Sequence, residues 1–245
     1  MLIVVAHRMD QTAEMVVGAW NRPDTVIMRP SDLAAGDFSY RPGQVLDSVF
    51  RAGSRLVAAH DVTGVLVRVP WVLDDDLLTI RPGEREYVAA EMSAVLLSWL
   101  TELPARVINQ PTPSCLCGPA WSQERWLGEA DALGLPVAAT CRDVGPLGFH
   151  SSPSARARPT AGEQLRFTVV GGTALAAPTR EWARWGCRLA RRACCDLLAC
   201  DLVRCDGQLI LTAVDVWPDV TTPVVAAALL AAFDTATPQS QQDSP

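Results

Sequence analysis

Blocks of apolar residues alternate with polar segments along the first half of the chain, at the spacing expected of strands followed by helices. Residues 11–20 and 82–103 repeat apolar positions at helical spacing. Pro82 and the acids Glu84 and Glu86 suit the start of the second helix. Short apolar runs typical of buried strands lie at residues 1–6, 24–28, 55–59, 62–69 and 106–109. This order predicts an α/β fold with a doubly wound, mostly parallel sheet covered by helices on both faces.

The second half of the chain predicts a different arrangement, in which hairpins replace the crossover units. Gly171-Gly172 and Asp206-Gly207 are turn dipeptides flanked by apolar runs, so each predicts a hairpin. Residues 141–162 contain prolines, serines and arginines without sustained periodicity, which indicates a linker or mobile loop. In chain order we expect a helix at 121–133, a strand at 135–139, the linker, a hairpin at 164–177, a helix at 179–199, a hairpin at 200–214 and a helix at 222–233.

The composition limits the classes of function that the protein can have. The 245 residues, 49% of them hydrophobic, are enough to bury a sizeable core. A net charge of −6 argues against a general nucleic-acid binder. The strongest apolar run, residues 224–233, is far shorter than the roughly 20 residues of a membrane span, and we interpret the N-terminus as a strand rather than a signal peptide. We therefore expect a cytoplasmic protein that binds no membrane, with its eight cysteines reduced.

The basic residues carry a further restriction. Lysine and arginine together number 21, all of them are arginines, and the chain has no lysine. Chemistry that needs a lysine as Schiff base, general base or phosphate clamp is therefore excluded for this chain by itself.

Two segments resemble a known family. The first is WVLDDDLLTIRPGEREYVAAEMSAVLLSWLTELPARVINQP, followed by SQERWLGEADALGLPVAAT, and the second is QLRFTVVGGTALAAP, followed by ACDLVRCDGQLILTAVDVWPD. Their order is similar to that of ATP-grasp ligases of the glutathione-synthetase and RimK type, and above all to those that modify ribosomally made peptides. The resemblance implies a protein that activates a carboxylate as an acyl phosphate and then forms an amide or ester.

The same resemblance implies site residues, and this chain departs from them at several positions. Arg166 matches the arginine that the family places near the acyl phosphate, and Asp201 matches the Asp of its magnesium-binding hairpin. Ala213 stands where the family has Glu, and Asp215 where it has Asn, so Asp201 and Asp215 imply at most a weak Mg²⁺ site. Arg125 is the basic residue nearest the position of an expected phosphate-binding lysine.

The resemblance also assigns parts to the chain. Residues 1–140 correspond to an N-terminal, pre-ATP-grasp-like α/β domain, and residues 163–234 to a truncated ATP-grasp C-terminal α+β part. Residues 141–162 stand where family members insert a small lid domain, so the lid is expected to be lacking. Residues 235–245 form a polar tail that we expect to be disordered.

Three functional hypotheses follow from these departures. The first is a degenerate, non-catalytic protein that binds a peptide or a partner enzyme in the biosynthesis of a modified peptide or related natural product, and that needs no cofactor. The second is an active ATP- and Mg²⁺-dependent carboxylate–amine ligase completed by a partner chain. The third is a structural subunit that binds no small molecule. Loss of the lid supports the first and third hypotheses equally and predicts a homo- or hetero-oligomer, because an exposed apolar sheet face usually finds a partner.

Several other side chains allow alternative interpretations. Cys115-Leu-Cys117 suggests a metal site or redox pair, but the spacing of a zinc site is lacking and we interpret the cysteines as small buried hydrophobes. His7 ends the first strand, where doubly wound folds place ligands, although a structural role is the preferred interpretation. The arginines from Arg184 to Arg192 form either a solvated helix face or a docking surface for an acidic partner.

Overall fold

The computed structural model describes residues 1–36, 38–138, 140–145, 148–153 and 162–235, and for 140–145 and 148–153 it describes the backbone only. The chain divides into two compact units. Unit 1 comprises Met1–Ala120 and the segment that begins at Asp219, and unit 2 comprises Trp121–Pro218. Residues 236–245 of the expected tail, and 146–147 and 154–161 of the expected linker, lie outside the described residues.

Unit 1 is built on a four-stranded parallel sheet. Its strands are β1 (Leu2–Ala6), β2 (Thr25–Met28), β5 (Gly64–Arg68) and β6 (Arg106–Ile108), in the order β2-β1-β5-β6. The helices are α1 (Gln11–Trp20), the short α2 (Pro30–Ala34) and α3 (Arg85–Glu102), and short 3₁₀ turns form at Asp74–Asp76 and Pro82–Glu84. All five residues of β1 and of β5 are buried, as expected of strands covered on both faces. The doubly wound, parallel sheet predicted for the first half of the chain is confirmed.

The predicted strand at residues 55–59 does not belong to that sheet. It is β4 (Arg55–Ala58), which pairs antiparallel with β3 (Val49–Ala52) in a separate hairpin. The periodicity of the sequence did not predict β3 and α2, because each is only four or five residues long, too short to show a period.

The last helix, α6 (Pro223–Asp234), packs in unit 1 and not with the hairpins that precede it. The indole Nε1 of Trp20 in α1 donates a hydrogen bond of 2.8 Å to the carbonyl of Ala226. The Trp20 and Phe233 rings meet edge to face, with their centroids 6.0 Å apart. The expected domain boundaries at 140 and 234 therefore differ from the observed division. The segment from Trp121 already belongs to unit 2, and α6 belongs to unit 1 because its apolar face packs against α1.

Unit 2 is built on a four-stranded antiparallel sheet. Its strands are β9 (Gln164–Val170), β10 (Thr173–Leu175), β11 (Leu197–Cys205) and β12 (Gln208–Asp215), in the order β10-β9-β11-β12. Helices α4 (Gln123–Ala132) and α5 (Arg180–Arg192) belong to the same unit. Asp206 and Gly207 have φ values of +50° and +80°, as the turn dipeptide predicted. Gly186 lets α5 approach the sheet, since an added Cβ would lie 2.5 Å from the Phe167 ring.

Two predicted elements of unit 2 end differently from the expectation. The helix expected at 179–199 stops at Arg192, and Leu197 already belongs to β11. Cys194 adopts a left-handed φ of +52°, and the amide of Cys195 donates to the carbonyl of Ala190, which closes the helix. Glycine usually occupies the left-handed position at the end of a helix, so the cysteine at position 194 did not indicate in the sequence that the helix ends there. Of the strand expected at 135–139, residue 139 lies outside the described residues, and within 135–138 the structure shows a bridge between Val137 and Leu211.

Part of the expected linker carries regular structure. Strands β7 (Thr140–Gly145) and β8 (Gly148–Pro153) pair antiparallel with each other. The sequence did not predict these two strands, and the role of residues 141–162 as a linker in place of a lid stays a prediction. The physical reason is that a two-stranded ribbon is held by backbone pairing, which requires no alternation of apolar residues.

No described helix is long and apolar enough to span a bilayer.

Candidate functional sites

Three charged side chains meet on the antiparallel sheet of unit 2. Arg166 of β9 lies directly opposite Asp201 of β11, and Asp215 is the last residue of β12. The guanidinium of Arg166 places one nitrogen 2.7 Å from a carboxylate oxygen of Asp215 and the other 3.5 Å from a carboxylate oxygen of Asp201. The structure therefore brings together the predicted arginine and both predicted acids, with the cation between the two carboxylates.

The cluster is open to solvent, and its charges are unevenly compensated. The side chains of Arg166, Asp201 and Asp215 are 45%, 35% and 38% exposed, so each ion pair contributes at most about 1 kcal/mol to stability. Burial raises the pKa of Asp201 above its ordinary value of 3.8, Arg166 opposes this, and the charge of Asp215 adds to it. The net direction is upward although a cation lies 3.5 Å away, because partial burial and a like charge outweigh one pairing at that distance.

The oxygen ligands that the family places in this hairpin are incomplete. Ala213 lies directly opposite Asp201 in the β11–β12 pairing, so a methyl group occupies the position of the expected glutamate. No group of three His, Cys, Asp or Glu side chains suited to a metal ion occurs in the part of the chain that the structure describes. Mg²⁺ demands a near-octahedral set of oxygens. The two carboxylates, already bridged by Arg166, do not fit the family's magnesium site, and their role as a weak site stays a prediction.

Arg125, the predicted phosphate contact, lies in the first turn of α4. Ser122 caps this helix and accepts a hydrogen bond from the backbone amide of Arg125. The guanidinium lies over the Trp121 ring, with its central carbon 4.2 Å from the ring centroid. This cation–π contact holds the side chain against an aromatic face. Its role in binding a nucleotide stays a prediction.

A buried polar network lies at the carboxyl ends of β1 and β5 in unit 1, and most of it was not predicted from the sequence. Arg68 ends β5 and forms an ion pair of 2.7 Å with Asp10, the residue before α1. His7 donates from Nδ1 to Asp76, which also accepts from the backbone amides of Arg8 and Leu73. An arginine inside the apolar run 62–69 was the signal that would have located this network. His7 thus has the structural role preferred for it.

The network makes stability depend on pH. Burial by itself raises the pKa of Asp76, but hydrogen bonds from His7 and the backbone outweigh it, so the pKa lies below 3.8. The stabilisation is present above that ordinary value and is lost as the pH falls through the lowered pKa. We expect Asp76→Asn to lower the free energy of unfolding at neutral pH by about 1–3 kcal/mol and to flatten its decline in acid. Urea denaturation at a series of pH values measures both. Asp75→Asn, at an exposed position, is the control, and equal acid slopes in the Asp76→Asn variant and wild type would contradict the assignment.

A groove of about 680 Å³ opens in the same unit. Its walls are the segment after β5, one face of α3 and the loop after β6. Small residues of α3, among them Ala90, Ser93 and Ala94, leave room for it, and the partly exposed Trp71 and Leu73 form its apolar rim. Asp74 and Glu86 add negative charge. Such a mixture suits a peptide segment better than a nucleotide. No motif in the sequence predicted this groove.

The arginine face of α5 is confirmed as exposed. Arg184, Arg188 and Arg191 lie on the solvent side, while Trp182 on the other side is buried. Arg192 pairs with Glu129 at 2.9 Å. Whether this face docks an acidic partner stays a prediction.

Solved structures with a similar fold are known. Macrocyclase MdnC from Microcystis aeruginosa MRC, bound with precursor peptide MdnA, matches with a TM-score of 0.70 at 12% identity, over 96% of this chain and 100% of that one. ATP-grasp ligase PsnB, complexed with minimal precursor, Mg and ADP, matches with a TM-score of 0.66 at 12% identity, over 95% and 98%. A RimK domain ATP-grasp protein from Sphaerobacter thermophilus DSM 20745 matches with a TM-score of 0.51 at 13% identity, over 95% and 98%.

These likenesses show the ATP-grasp fold over nearly the whole chain, as the two sequence segments predicted. At such low identity they show the fold alone. No family model matches the chain, and neither does any curated protein.

Proposed function

We propose that this protein is a non-catalytic member of the ATP-grasp fold that binds a peptide or a partner enzyme in the maturation of a ribosomally made peptide or related natural product. The observation that carries the proposal is the position of Arg166 between Asp201 and Asp215. In this arrangement a protein cation occupies the space between the carboxylates that the resemblance assigns to Mg²⁺.

The charged groups available to bind a metal ion and nucleotide phosphates support a non-catalytic role. Phosphoryl transfer needs metal ions and fixed cations around the nucleotide phosphates. A Mg²⁺ ion would have to share two carboxylates with Arg166, and Ala213 adds no oxygen opposite Asp201. The chain has no lysine to hold a phosphate, and Arg125 lies on Trp121. The metal-binding and the phosphate-binding features that the resemblance implies are therefore both weakened in this chain.

The groove of unit 1 supports the binding half of the proposal. Its volume and its apolar rim with Trp71 and Leu73 suit an extended peptide segment, and Asp74 and Glu86 favour one with a basic residue. MdnC and PsnB are proteins of this fold crystallised with precursor peptides. We place the protein in the cytoplasm, in a homo- or hetero-oligomer, with no role in binding nucleic acid or membranes.

One observation favours the alternative, an active carboxylate–amine ligase completed by a partner chain. Arg166 supplies one positive charge against the two carboxylates of Asp201 and Asp215, so the cluster keeps a net negative charge that attracts a further cation. A partner would supply the lid and lysines, and ATP and Mg²⁺ would then be the cofactors. PsnB, a protein of the same fold, is complexed with Mg and ADP.

Isothermal titration of the full chain with ATP and Mg²⁺, at protein concentrations that detect millimolar binding, separates the two proposals. The non-catalytic proposal expects no heat of binding. Clear binding that is abolished in Asp201→Asn would support the ligase and refute the proposal.

A gain-of-function variant makes a negative titration informative. Ala213→Glu would restore the missing carboxylate directly opposite Asp201. We expect it to raise the affinity for Mg²⁺, or for Mn²⁺ as a spectroscopic substitute, by about tenfold or more, because each added carboxylate strengthens an oxygen site. Thr173→Glu, which adds the same charge at an exposed position on the edge strand β10, should leave the affinity unchanged. An equal rise in both variants would point to nonspecific attraction and against a site at Asp201.

A further inference from the structure

The thiols of Cys115 and Cys117 face each other in the loop after β6. Their sulfur atoms are 3.5 Å apart, and both residues are buried, with 7% and 2% of their surface exposed. Two cysteines acting only as small hydrophobes need no such contact with each other, which departs from the interpretation of the sequence.

The loop holds the pair in place through its backbone. The amides of Thr112 and Cys115 donate to each other's carbonyls, and the amide of Leu116 donates to the carbonyl of Pro70. The side-chain amide of Asn109 donates to the carbonyl of Cys117. Because these bonds fix the loop on both sides of the pair, little chain entropy remains to be lost if the sulfurs become bonded.

The two thiols differ in access and in acidity. Cys115 lines the groove of unit 1, whereas Cys117 is not one of the residues that line it. The hydrogen bond from Cys117 lowers the pKa of Cys115 to about 7, more than its burial raises it. The same contact, followed by burial, raises the pKa of Cys117, which the charge of Arg68 partly opposes. The cysteine that lines the groove is thus also the more acidic of the two.

We propose that Cys115 and Cys117 form a redox-active dithiol, in which Cys115 attacks a low-molecular-weight disulfide that enters through the groove and Cys117 resolves the product. The reaction uses no residue of the Arg166 cluster, but it takes place at the groove that is also proposed to bind a peptide segment.

The reaction balances as two thiol–disulfide exchanges. The Cys115 thiolate attacks one sulfur of the small disulfide, the disulfide bond breaks, and one small thiolate leaves as a mixed disulfide forms at Cys115. Cys117 then loses its proton to solvent or to the departing thiolate and attacks the Cys115 sulfur. The second small thiol leaves and the Cys115–Cys117 disulfide remains. The two protein thiols are oxidised by two electrons and one small disulfide is reduced to two thiols.

Glutathione disulfide is the probe, and the absence of lysine makes the readout direct. Trypsin cuts this chain only after arginine, so residues 107–125 are released as one peptide that contains Cys115 and Cys117 and no other cysteine. Residues 205–245 contain Cys205 alone and serve as an internal reference. The reduced full chain is incubated with glutathione disulfide at neutral pH, quenched in acid, alkylated and analysed by mass spectrometry. We expect residues 107–125 to lose two hydrogens and resist alkylation, while Cys205 carries only glutathione or the alkyl group.

Two serine variants test the assignment of roles. Cys117→Ser keeps a hydrogen-bond donor beside Cys115 and should trap a glutathione adduct there. Cys115→Ser should form about tenfold less adduct at Cys117, because Cys117 is more deeply buried and does not line the groove. Equal adducts in both variants would overturn the roles. A wild-type chain in which residues 107–125 stay fully alkylated while Cys205 reacts would overturn the dithiol itself, and this measurement requires no variant to fold.

Discussion

Replacing Asp10 with alanine is expected to lower the free energy of unfolding by about 3–5 kcal/mol, the cost of removing one partner of a buried ion pair. The side chains of Arg68 and Asp10 are only 5% and 8% exposed, and their atoms approach to 2.7 Å. Arg68 closes β5 and Asp10 precedes α1, so the pair ties the end of a central strand to the start of a helix. Without the carboxylate, the guanidinium loses a charged partner at 2.7 Å in a region from which water is largely excluded. Chemical denaturation at neutral pH measures the loss.

Asp24→Ala is the matched control. Asp24 also pairs with an arginine, Arg22, at 2.9 Å, but its side chain is 42% exposed. An exposed pair is worth at most about 1 kcal/mol, so this variant should unfold close to wild type. If both variants lost the same stability, the burial of Asp10 would not be the cause, and the account of Arg68 as a buried structural charge would fail.

Replacing Phe233 with alanine is expected to destabilise unit 1 by about 3–5 kcal/mol. Phe233 is 6% exposed, and it packs edge to face against Trp20. A Cβ added to Gly64 would overlap the Phe233 ring, so β5 carries a glycine where the ring lies against its backbone. Alanine would leave a cavity between α6 and the sheet that neither the glycine nor the rigid strand can fill. Thermal and urea denaturation of the full chain measure the change.

Val224→Ala, on the exposed side of the same helix, controls for any change in helix propensity. Val224 is 59% exposed, so its truncation should change the stability by no more than about 0.5 kcal/mol. An equally small effect of Phe233→Ala would mean that α6 does not pack in unit 1. The assignment of α6 to unit 1 would then be wrong.

The residues of the candidate site were predicted from motifs, but the contacts between them depend on how the strands pair. Arg166, Asp201 and Asp215 could be identified from the sequence because the segments around them resemble those of a known family. That the arginine lies between the acids follows from the register that sets Arg166 opposite Asp201, and a one-residue shift would have turned these side chains to opposite faces. Their bridging therefore depends on tertiary pairing that no local pattern encodes.

The sequence by itself determined the parallel sheet, the two turn dipeptides and the absence of lysine chemistry, because these depend on local periodicity, on positive φ angles and on composition. Only the tertiary structure decided the rest. It placed α6 beside α1, buried Arg68 against Asp10, opened the groove along α3 and set two thiols 3.5 Å apart. Each of these features depends on contacts that only the folded chain creates. The free energy of burying apolar area makes the elements pack but does not specify the partner of each one, whereas shape and charge complementarity in the folded protein does.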